Sequence, residues 1–479
     1  MDLQAVARQA MLDAGFTPDF PPEVLQQAVT AANSIPPPAP QQRDLRELLW
    51  SSIDNVTSRD LDQIEVAQRN EKDIRVSIGI ADVDSLVPKG SALDQHAAQN
   101  GMSIYLGVKT FPLFPPELSN DRTSLLQHQE RRAVVMEFTV AEDGQISAAD
   151  VSVATVINRA KLNYPEVGAW LEKSGAAPAA VAQNAALADQ LQLQSEAAER
   201  FHEERLRSGA LEFESIEPQP VMAGHEITSL ALDRKNRARD LIENLMVSTN
   251  TAMAKFLEAR SIASIQRIVR TPERWPRIVE LASQHGTQLP ATADAIALSK
   301  FLADRRRADP EHFPDLSLAI VKLIGAAEYV VVRDAADVQG HFGLAVQDYT
   351  HATAPNRRYP DLIIQRLLKA AITNASTPYT VAELEQIALH CNERASAARK
   401  VERFMRKVAA ATFLAGRVGA TFDGIVTGAS PKGVFVRIKN PPAEGRVLRG
   451  EAGLDVGDKA RVRLLGTVPE KGFIDFARA

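Results

Sequence analysis

Residues 53–63 read Ile-Asp-Asn-Val-Thr-Ser-Arg-Asp-Leu-Asp-Gln and contain three carboxylates, Asp54, Asp60 and Asp62. In an extended segment Asp60 and Asp62 point to the same side, because the side chains of a strand alternate with a period of two. Carboxylates that converge on one point repel one another unless a cation lies among them, and hard oxygen ligands suit Mg²⁺. The stretch therefore predicts a Mg²⁺ site or, as the simpler alternative, a polar turn with solvated acids.

The sequence around this stretch predicts a mixed α/β body. Alternating isoleucine and valine over 74–80 indicate a strand with one buried face. Residues 133–140 and 146–156 flank Asp143-Gly144, a dipeptide typical of a hairpin turn. Longer apolar periodicities predict helices over 174–200, 239–260, 361–373 and 381–412.

The two ends of the chain differ from this body. Residues 1–35 predict two short helices, and the proline-rich stretch 36–40 predicts a stiff linker that closes an N-terminal region of residues 1–40. Two such helices cannot form a core alone, so we expect them to dock on the body or to form a small helix-turn-helix-like appendage. After residue 416 short strands alternate with Gly, Pro and Asp turns, which predicts a closed five-stranded barrel of the OB type.

Charge and cysteine content limit the possible classes of protein. The net charge of −5 is unevenly distributed: residues 394–479 contain 17 Lys and Arg against 8 Asp and Glu, a local charge of +9. Such a basic end can bind phosphates, although a chance cluster of solvated charge is the alternative. Cys391 is the only cysteine, which excludes an internal disulfide and fits a reducing cytoplasm. With no signal peptide or long apolar run, we expect no membrane association.

Further motifs accompany the acidic stretch in a fixed order. They are Ile78-Gly79-Ile80-Ala81-Asp82-Val83-Asp84, Phe111-Pro112-Leu113-Phe114-Pro115-Pro116-Glu117-Leu118-Ser119, His341-Phe342-Gly343-Leu344, Thr353-Ala354-Pro355-Asn356-Arg357-Arg358-Tyr359-Pro360-Asp361-Leu362, and Arg366. Together they resemble the catalytic (RNB) domain of the ribonuclease II / ribonuclease R family over residues 42–412. The resemblance implies an α/β (α+β) catalytic domain over 41–413. Only about 40 residues precede it, too few for the cold-shock domains that this family usually places there.

The resemblance assigns the acidic residues to a Mg²⁺ site. Asp54, Asp60 and Asp62 match three of the family's four aspartates, and Asp60 and Asp62 would be catalytic. Gln63 stands at the fourth position, where an amide offers an oxygen but no charge, so we expect one metal to be held less firmly. Glu65 would share the face of Gln63 in a strand and is a possible compensating group.

The resemblance also assigns residues that would contact RNA. Arg357 matches a catalytic arginine that contacts the scissile phosphate, where a guanidinium can bind phosphate through two hydrogen bonds; a surface ion pair is the alternative. Tyr105 and Phe213 match two aromatics that stack on the terminal bases, and otherwise would be core residues. Tyr164 and Glu243 match residues near the 3′ ribose, with a helix-surface ion pair as the alternative for Glu243.

The C-terminal region resembles an S1-type RNA-binding OB fold over 414–479. The resemblance rests on Phe422-Asp423-Gly424-Ile425-Val426, Gly433-Val434-Phe435-Val436 and Leu454-Asp455-Val456-Gly457-Asp458. It implies base stacking by Phe422 and Phe435, at least one of which could instead fill the barrel. Phosphate contacts would come from Lys432, Arg437 and Lys439.

These expectations describe a processive 3′→5′ exoribonuclease. It would hydrolyse single-stranded RNA from a free 3′ end to nucleoside 5′-monophosphates, as a monomer in the cytoplasm. Two alternatives stay open. Gln63 favours a catalytically weakened RNA-binding protein of the same fold, whereas a DNA-directed protein using the N-terminal helices is disfavoured by their single basic residue, Arg8.

Overall fold

A computed structural model describes residues 1–214, 218–224, 226–232, 235–430 and 433–479. The helices are α1 Leu3–Asp13, α2 Pro22–Ala32, α3 Ala92–Asn100, α4 Tyr164–Leu171, α5 Ala179–Ala182, α6 Ala185–Arg207, α7 Arg237–Glu258, α8 Trp275–Gln284, α9 Ala295–Ala308, α10 Phe313–Ile324, α11 Tyr359–Thr373 and α12 Val381–Leu414. The strands before α8 are β1 Arg43–Asp44, β2 Ser51–Asp54, β3 Gln63–Asn70, β4 Asp73–Ala81, β5 Ile104–Tyr105, β6 Thr110–Phe111, β7 Glu130–Val140, β8 Ile146–Ile157, β9 Ala160–Asn163, β10 Pro218–Ala223, β11 Glu226–Leu232 and β12 Ser264–Ile268. They are followed by β13 Glu328–Val332, β14 Thr421–Ser430, β15 Gly433–Ile438, β16 Ala443–Arg449, β17 Lys459–Val468 and β18 Phe473–Arg478.

The body is built on a mixed sheet with strand order β1-β8-β7-β4-β3-β2-β9. Strands β3, β4, β7 and β8 form a continuous antiparallel set, whereas β1 runs parallel to β8 and β2 runs parallel to β9. The predicted strand over 74–80 is the centre of β4. Its isoleucines and valine are buried in the largest hydrophobic cluster together with residues of α6, α7 and α11.

The expectation that β4 has only one buried face was wrong. Ser77 and Gly79, which alternate with the apolar residues, are buried as well. On this side the carboxylate of Glu137 on β7 accepts hydrogen bonds from Arg43 and from Arg75, the latter at 2.9 Å. A central strand is covered on both faces, and here the second face is closed by ion-paired polar groups that a simple apolar count does not detect.

The hairpin between β7 and β8 forms at the predicted turn. Gly144 has φ +88°, and a Cβ there would lie 2.2 Å from the backbone oxygen of Arg200 on α6. Glycine is therefore required both for the left-handed backbone and for the close approach of the helix. The turn thus fixes the distance between the hairpin and α6.

The predicted helix over 174–200 is divided. A short helix, α5, precedes α6, and α6 begins only at Ala185 because the side chain of Asn184 accepts a hydrogen bond from the backbone N–H of Leu187. An asparagine in this N-cap position ends the preceding segment and starts a new helix. The other predicted helices match α7, α11 and α12 within two residues at each end.

The N-terminal helices dock on the body at separate places. Leu3, Ala7 and Met11 of α1 pack against α12 in one hydrophobic cluster. Val24 and Ala28 of α2 belong to the cluster beneath the sheet. Each helix is thus stabilised by tertiary packing, as an isolated helix of 11 residues requires.

The C-terminal strands close into a five-stranded barrel with order β14-β15-β16-β18-β17, as expected. Alternate residues of β15, including Val436 and Ile438, fill the barrel interior with Phe476 of β18. Leu414 at the end of α12 extends the same cluster. In addition, Arg437 pairs with Asp315 of α10 through contacts of 2.5 and 2.8 Å, so ion pairs as well as apolar contacts attach the barrel to the body. Among the helices described, none has the length and apolar character needed to cross a membrane.

A buried ionic network fixes α11 against the loop that follows β4. Arg366 is only 3% exposed at its side chain and donates hydrogen bonds to Asp84 at 2.9 Å and Asp94 at 2.8 Å. It also donates to the backbone oxygen of Val87 and to the hydroxyl of Tyr379. Arg366→Met would leave these acceptors without their donor. Removing one partner of a buried pair costs about 3–5 kcal/mol of unfolding free energy.

Urea denaturation followed by circular dichroism would measure this loss. The matched control is Arg333→Met, which removes an arginine that pairs with Glu385 at the surface and should lower the midpoint far less, because an exposed ion pair contributes little to stability. Equal midpoints for the two variants would contradict the structural importance of the network.

Buried histidines predict a loss of stability in acid. Burial lowers the pKa of His341 from its usual 6.5 to about 4, and its Nδ1 accepts a hydrogen bond from the backbone N–H of Leu344. The unfolded chain takes up a proton below pH 6.5, but the folded chain does not until about pH 4. The contribution of His341 to the free energy of unfolding is therefore fully present above pH 6.5 and is lost as the pH falls. At pH 4 the loss is about 3 kcal/mol.

We expect His341→Asn to flatten the fall of the urea midpoint between pH 6.5 and 4. The control is His128→Asn, an exposed histidine with φ +62°, a conformation that asparagine tolerates. A profile for His341→Asn that falls as steeply as that of the wild type would refute this account.

Candidate active site

The acidic stretch forms a loop between two strands of the sheet. Asp54 is the last residue of β2, and Asp62 immediately precedes β3. The loop is held in place by Ser124, whose hydroxyl accepts a hydrogen bond from the backbone N–H of Leu61 at 3.0 Å and donates one to the carbonyl of Arg59 at 2.6 Å. The strand ends and this anchor position the carboxylates near the sheet.

Asp62 is the centre of the site. Its side chain is fully buried, and its Oδ2 accepts a hydrogen bond from Nε of Arg357 at 2.7 Å. Its Oδ1 accepts one from the backbone N–H of Asn356 at 3.0 Å. The arginine side chain is 36% exposed, so one side of this pair faces solvent. The structure therefore brings together Asp62 and Arg357, which the sequence assigns to the metal and to the phosphate.

The loop that carries Arg357 is shaped by the start of α11. The buried carboxylate of Asp361 accepts hydrogen bonds from the backbone N–H of Ala354 at 2.8 Å and from the Arg358 guanidinium at 2.7 and 2.8 Å. The backbone oxygen of Arg357 accepts from the N–H of Ser103 at 2.8 Å. These contacts orient the Arg357 side chain toward Asp62.

The surroundings of Asp62 disfavour its ionised form. Burial raises the pKa of Asp62 to about 6, with Arg357 opposing the shift and the nearby charge of Asp60 adding to it. An aspartate in water would have a pKa near 3.9. Asp62 thus lies where additional positive charge would stabilise the carboxylate.

The other sequence-predicted metal ligands lie around this pair. The Oδ1 of Asp54 accepts hydrogen bonds from the backbone N–H of Asn55 at 2.7 Å and the hydroxyl of Ser58 at 2.8 Å. Asp60 accepts a hydrogen bond from the hydroxyl of Tyr105 at 3.2 Å. Gln63 is buried at the start of β3. The charge of Arg357 interacts with those of all three aspartates, which places them around one guanidinium.

The oxygen ligands of this site suit a hard divalent cation, although the aspartates now accept hydrogen bonds from neighbouring protein groups. Within the described parts of the chain, no three acidic, histidine or cysteine side chains already form a coordination group. The donors are nevertheless all oxygens, the type that Mg²⁺ prefers. Glu65 on β3 is also fully buried, and neither of its carboxylate oxygens has a hydrogen-bond partner among the described residues. The local excess of carboxylates over cationic groups therefore favours a cation.

The two tyrosines that the sequence assigns to RNA contacts lie beside the acidic residues. Tyr105 is 47% exposed and reaches Asp60 through its hydroxyl. Tyr164 begins α4, directly after β9, and its ring lies 4.6 Å from the Arg239 guanidinium. Arg239 also donates to the side chain of Asn55 in the acidic loop at 3.2 Å. Sequence reasoning missed Arg239, because no local pattern indicates that α7 crosses this loop.

Two other predicted RNA contacts, Phe213 and Glu243, have protein partners of their own. Phe213 packs on the helical cluster formed by α8, α9 and α10, and it lines a cavity of about 420 Å³ together with Asn244. Among the described aromatic rings no direct contact joins Phe213 and Tyr105. Glu243 pairs with Lys235 at 2.7 Å on the surface, the ion pair that was its alternative.

The barrel residues separate into inward and outward groups. Phe422 packs partly on the barrel core, whereas Phe435 alternates with the core residues of β15 and lies outside the core cluster. Arg437 shares the outward face but pairs with Asp315, and Lys439 pairs with Glu311. Both predicted phosphate-binding residues therefore contact acids of the body. Lys432 lies outside the described residues.

Comparison with known proteins places the chain in a family. A family model described as the RNB domain matches residues 42–374, and one described as the RNase II-type exonuclease C-terminal S1 domain matches residues 420–479. The chain belongs to the RNB domain family. Nucleases of this family are in general metal-dependent.

Individual relatives agree with this assignment. Ribonuclease R 1 of Lactococcus lactis is 28% identical over 436 residues, which cover 88% of this chain and 52% of that protein. RNase R of Mycoplasma genitalium, solved in complex with ribose methylated single-stranded RNA, superposes with a TM-score of 0.88 at 22% identity and covers 100% of this chain and 78% of that chain. Yeast Ssd1, described as a pseudonuclease, gives a TM-score of 0.72 at 17% identity over 93% of this chain and 55% of that chain.

The structural likenesses show the fold alone at these identities. The chain spans 52%, 57% and 61% of the lengths of three ribonuclease R relatives that it matches. The acidic loop and the Arg357 loop both lie within the matched RNB region.

The interaction between Arg357 and Asp62 predicts a measurable titration. Because the guanidinium opposes the effect of burial, Arg357→Met should raise the pKa of Asp62 above its value of about 6 in the metal-free protein. ¹³C NMR of labelled aspartate carboxyl groups would follow this titration, and Asp62→Asn would identify the signal. Arg46→Met removes an arginine at a surface ion pair and should leave the signal unmoved. A lower pKa in Arg357→Met would exclude the proposed electrostatics.

Proposed function

We propose that the protein is a Mg²⁺-dependent exoribonuclease that degrades single-stranded RNA processively from a free 3′ end. The observation that carries the proposal is the pairing of buried Asp62 with partly exposed Arg357 among the other acidic residues. Membership of the RNB family supports the same reaction. The products would be nucleoside 5′-monophosphates and an RNA that is one nucleotide shorter in each cycle.

Arg357 is suited to bind the scissile phosphate. Its Nε is taken by Asp62, and in the described part of the chain its two terminal nitrogens have no hydrogen-bond partner. A guanidinium held in this way can donate to non-bridging phosphate oxygens and stabilise the charge that develops as the bond to the 3′ oxygen breaks. Asp62 would keep the guanidinium in position.

The bound cation and the tyrosines would complete the site. A divalent cation, when bound by Asp54, Asp60, Asp62 and Gln63, supplies charge neutralisation and activation of water. Tyr105 offers an exposed ring beside Asp60, suited to stacking on a base irrespective of its identity. Tyr164, which stacks under Arg239, would contact the sugar of the terminal nucleotide. Hydrolysis adds water across the P–O3′ bond, and the 3′ oxygen leaves with a proton.

Phe213, Glu243, Phe422, Phe435, Lys432 and Arg437 stay proposals as RNA contacts. For Arg437, binding to phosphate would require exchange of its pairing with Asp315. Outward-facing Phe435 is better suited to base stacking than Phe422, which packs against the barrel core.

We further propose that the protein acts as a monomer in the cytoplasm. The single cysteine supports a reducing compartment, since Cys391 is buried, forms no disulfide and has a thiol pKa that burial raises to about 12. Such a thiol is protonated at neutral pH and has a structural role.

A second candidate function is RNA binding with weakened catalysis. Gln63, which brings no charge to the acidic loop, favours it. The two candidates differ in whether bound RNA is shortened in the presence of Mg²⁺.

The direct test uses a 5′-labelled single-stranded RNA with Mg²⁺. We expect stepwise shortening to a small labelled remnant, abolished by EDTA and by Asp62→Asn. Arg357→Ala should reduce the rate by about 10²–10³-fold, as loss of a transition-state donor does. Glu196→Gln, which alters a surface pair with Arg69, serves as the matched control with full activity.

A DNA strand of the same sequence tests the choice of nucleic acid and should stay intact. RNA that binds but is not shortened at any Mg²⁺ concentration would reject the exonuclease and favour the RNA-binding alternative. Shortening of DNA at the same rate would reject selectivity for RNA.

A further inference from the structure

A buried carboxylate beside the acidic loop has no compensating contact. Glu65 is fully buried, and both of its carboxylate oxygens lack a hydrogen-bond partner among the residues described. An ionised carboxylate left unpaired in the interior is strongly destabilising, so the group must either keep its proton or acquire a cation.

The position of Glu65 directs it toward the acidic loop. Glu65 lies opposite Ser51 of β2, the strand that ends at Asp54, and it follows Gln63 by two residues on β3. Side chains two residues apart on a strand point to the same face. The charges of Glu65 and Asp54 interact, and both act on Tyr164.

No basic side chain of the described chain compensates Glu65. Neither of its carboxylate oxygens has a hydrogen-bond or ion-pair partner among the described residues, although the side chain is fully buried. Arg357, which interacts with the three aspartates, leaves Glu65 unneutralised. A buried carboxylate without a cationic partner, close enough to Asp54 for their charges to interact, offers oxygen ligands suited to a hard divalent cation.

We propose that Glu65 replaces the carboxylate missing at Gln63 and holds a divalent cation together with Asp54. The displacement of two residues along β3 is bridged by the longer glutamate side chain and by water ligands, of which Mg²⁺ usually keeps several. Gln63, which shares a face of β3 with Glu65, can add its amide oxygen as a further ligand. This inference rests on the proposed function and assigns its cation to a ligand set particular to this chain.

Direct cation binding tests the assignment. Mn²⁺, which also prefers oxygen ligands, is titrated into metal-free protein and followed by calorimetry and by the electron paramagnetic resonance of free Mn²⁺. We expect Glu65→Gln to weaken binding by about 10–100-fold or more, the range found when even an indirect partner of a metal ligand is removed. Glu196→Gln is the control with unchanged affinity, since it removes a carboxylate of α6 outside the site.

Glu65→Leu guards against a folding defect in Glu65→Gln, because an apolar side chain suits a buried strand position. Whichever variant folds must bind Mn²⁺ more weakly. A folded variant with wild-type affinity would overturn the proposal and identify Glu65 as a protonated structural residue. Gln63→Asp combined with Glu65→Gln moves the carboxylate to position 63 and should restore binding. Failure to restore it would show that Glu65 acts through packing.

Thermal unfolding measured with and without Mg²⁺ separates the effect of Glu65 on cation binding from its effect on the stability of the fold. Without metal, Glu65→Gln should unfold at a higher temperature than the wild type, because the unpaired carboxyl group is removed. The stabilisation gained on adding Mg²⁺ should be smaller in the variant, because a ligand stabilises a protein by an amount that grows with the ratio of its free concentration to its dissociation constant. An equal gain in both proteins would contradict the role of Glu65.

These results are distinguishable from failure of the proposed function. Mn²⁺ binding that depends on Glu65 in a wild-type protein that leaves RNA intact would reject the exonuclease and retain the cation site. RNA shortening with unchanged Mn²⁺ affinity in Glu65→Gln would retain the exonuclease and reject the site.

Discussion

The buried interaction of Asp62 with Asn356 and Arg357 is the constraint on which the candidate active site depends. It joins segments 295 residues apart in sequence, the start of β3 and the loop before α11. A carboxylate without exposure to water requires such donors, and the loop can supply them only in one arrangement. The same loop bonds to Ser103 through the backbone oxygen of Arg357, so the position of the Tyr105 segment follows from it as well.

Two groups of carboxylates in the molecule differ in how much positive charge surrounds them. Carboxylates gather around the guanidinium of Arg357, whereas Arg366 and Lys369 neutralise Asp82 and Asp84 in a separate buried network. The first group has too little positive charge and can accept a cation, while the second is closed by hydrogen bonds and stabilises α11. Part of the positive charge of the C-terminal barrel is neutralised by the body, because Arg437 and Lys439 pair with acids in and near α10.

Comparison of particular residues shows where sequence reasoning succeeded. The alternation around β4, the turn at Gly144 and the boundaries of α11 and α12 were predicted because each depends on neighbouring residues. The burial of the second face of β4 was missed, since it depends on Glu137 and Arg43 from other strands. The division of the helix over 174–200 was missed although Asn184 is a recognisable N-cap residue.

The sequence by itself determined the mixed α/β body, the C-terminal barrel and the chemical identity of the acidic residues, because periodicity, turn residues and motif spacing are local properties. Tertiary structure alone decided which groups meet: that Arg357 pairs with Asp62, that Arg239 covers Tyr164, and that Glu243 pairs with Lys235. It also decided that Glu65 is buried without a partner. Contacts between distant segments follow from the packing of the whole chain, and one sequence carries no local signal of them.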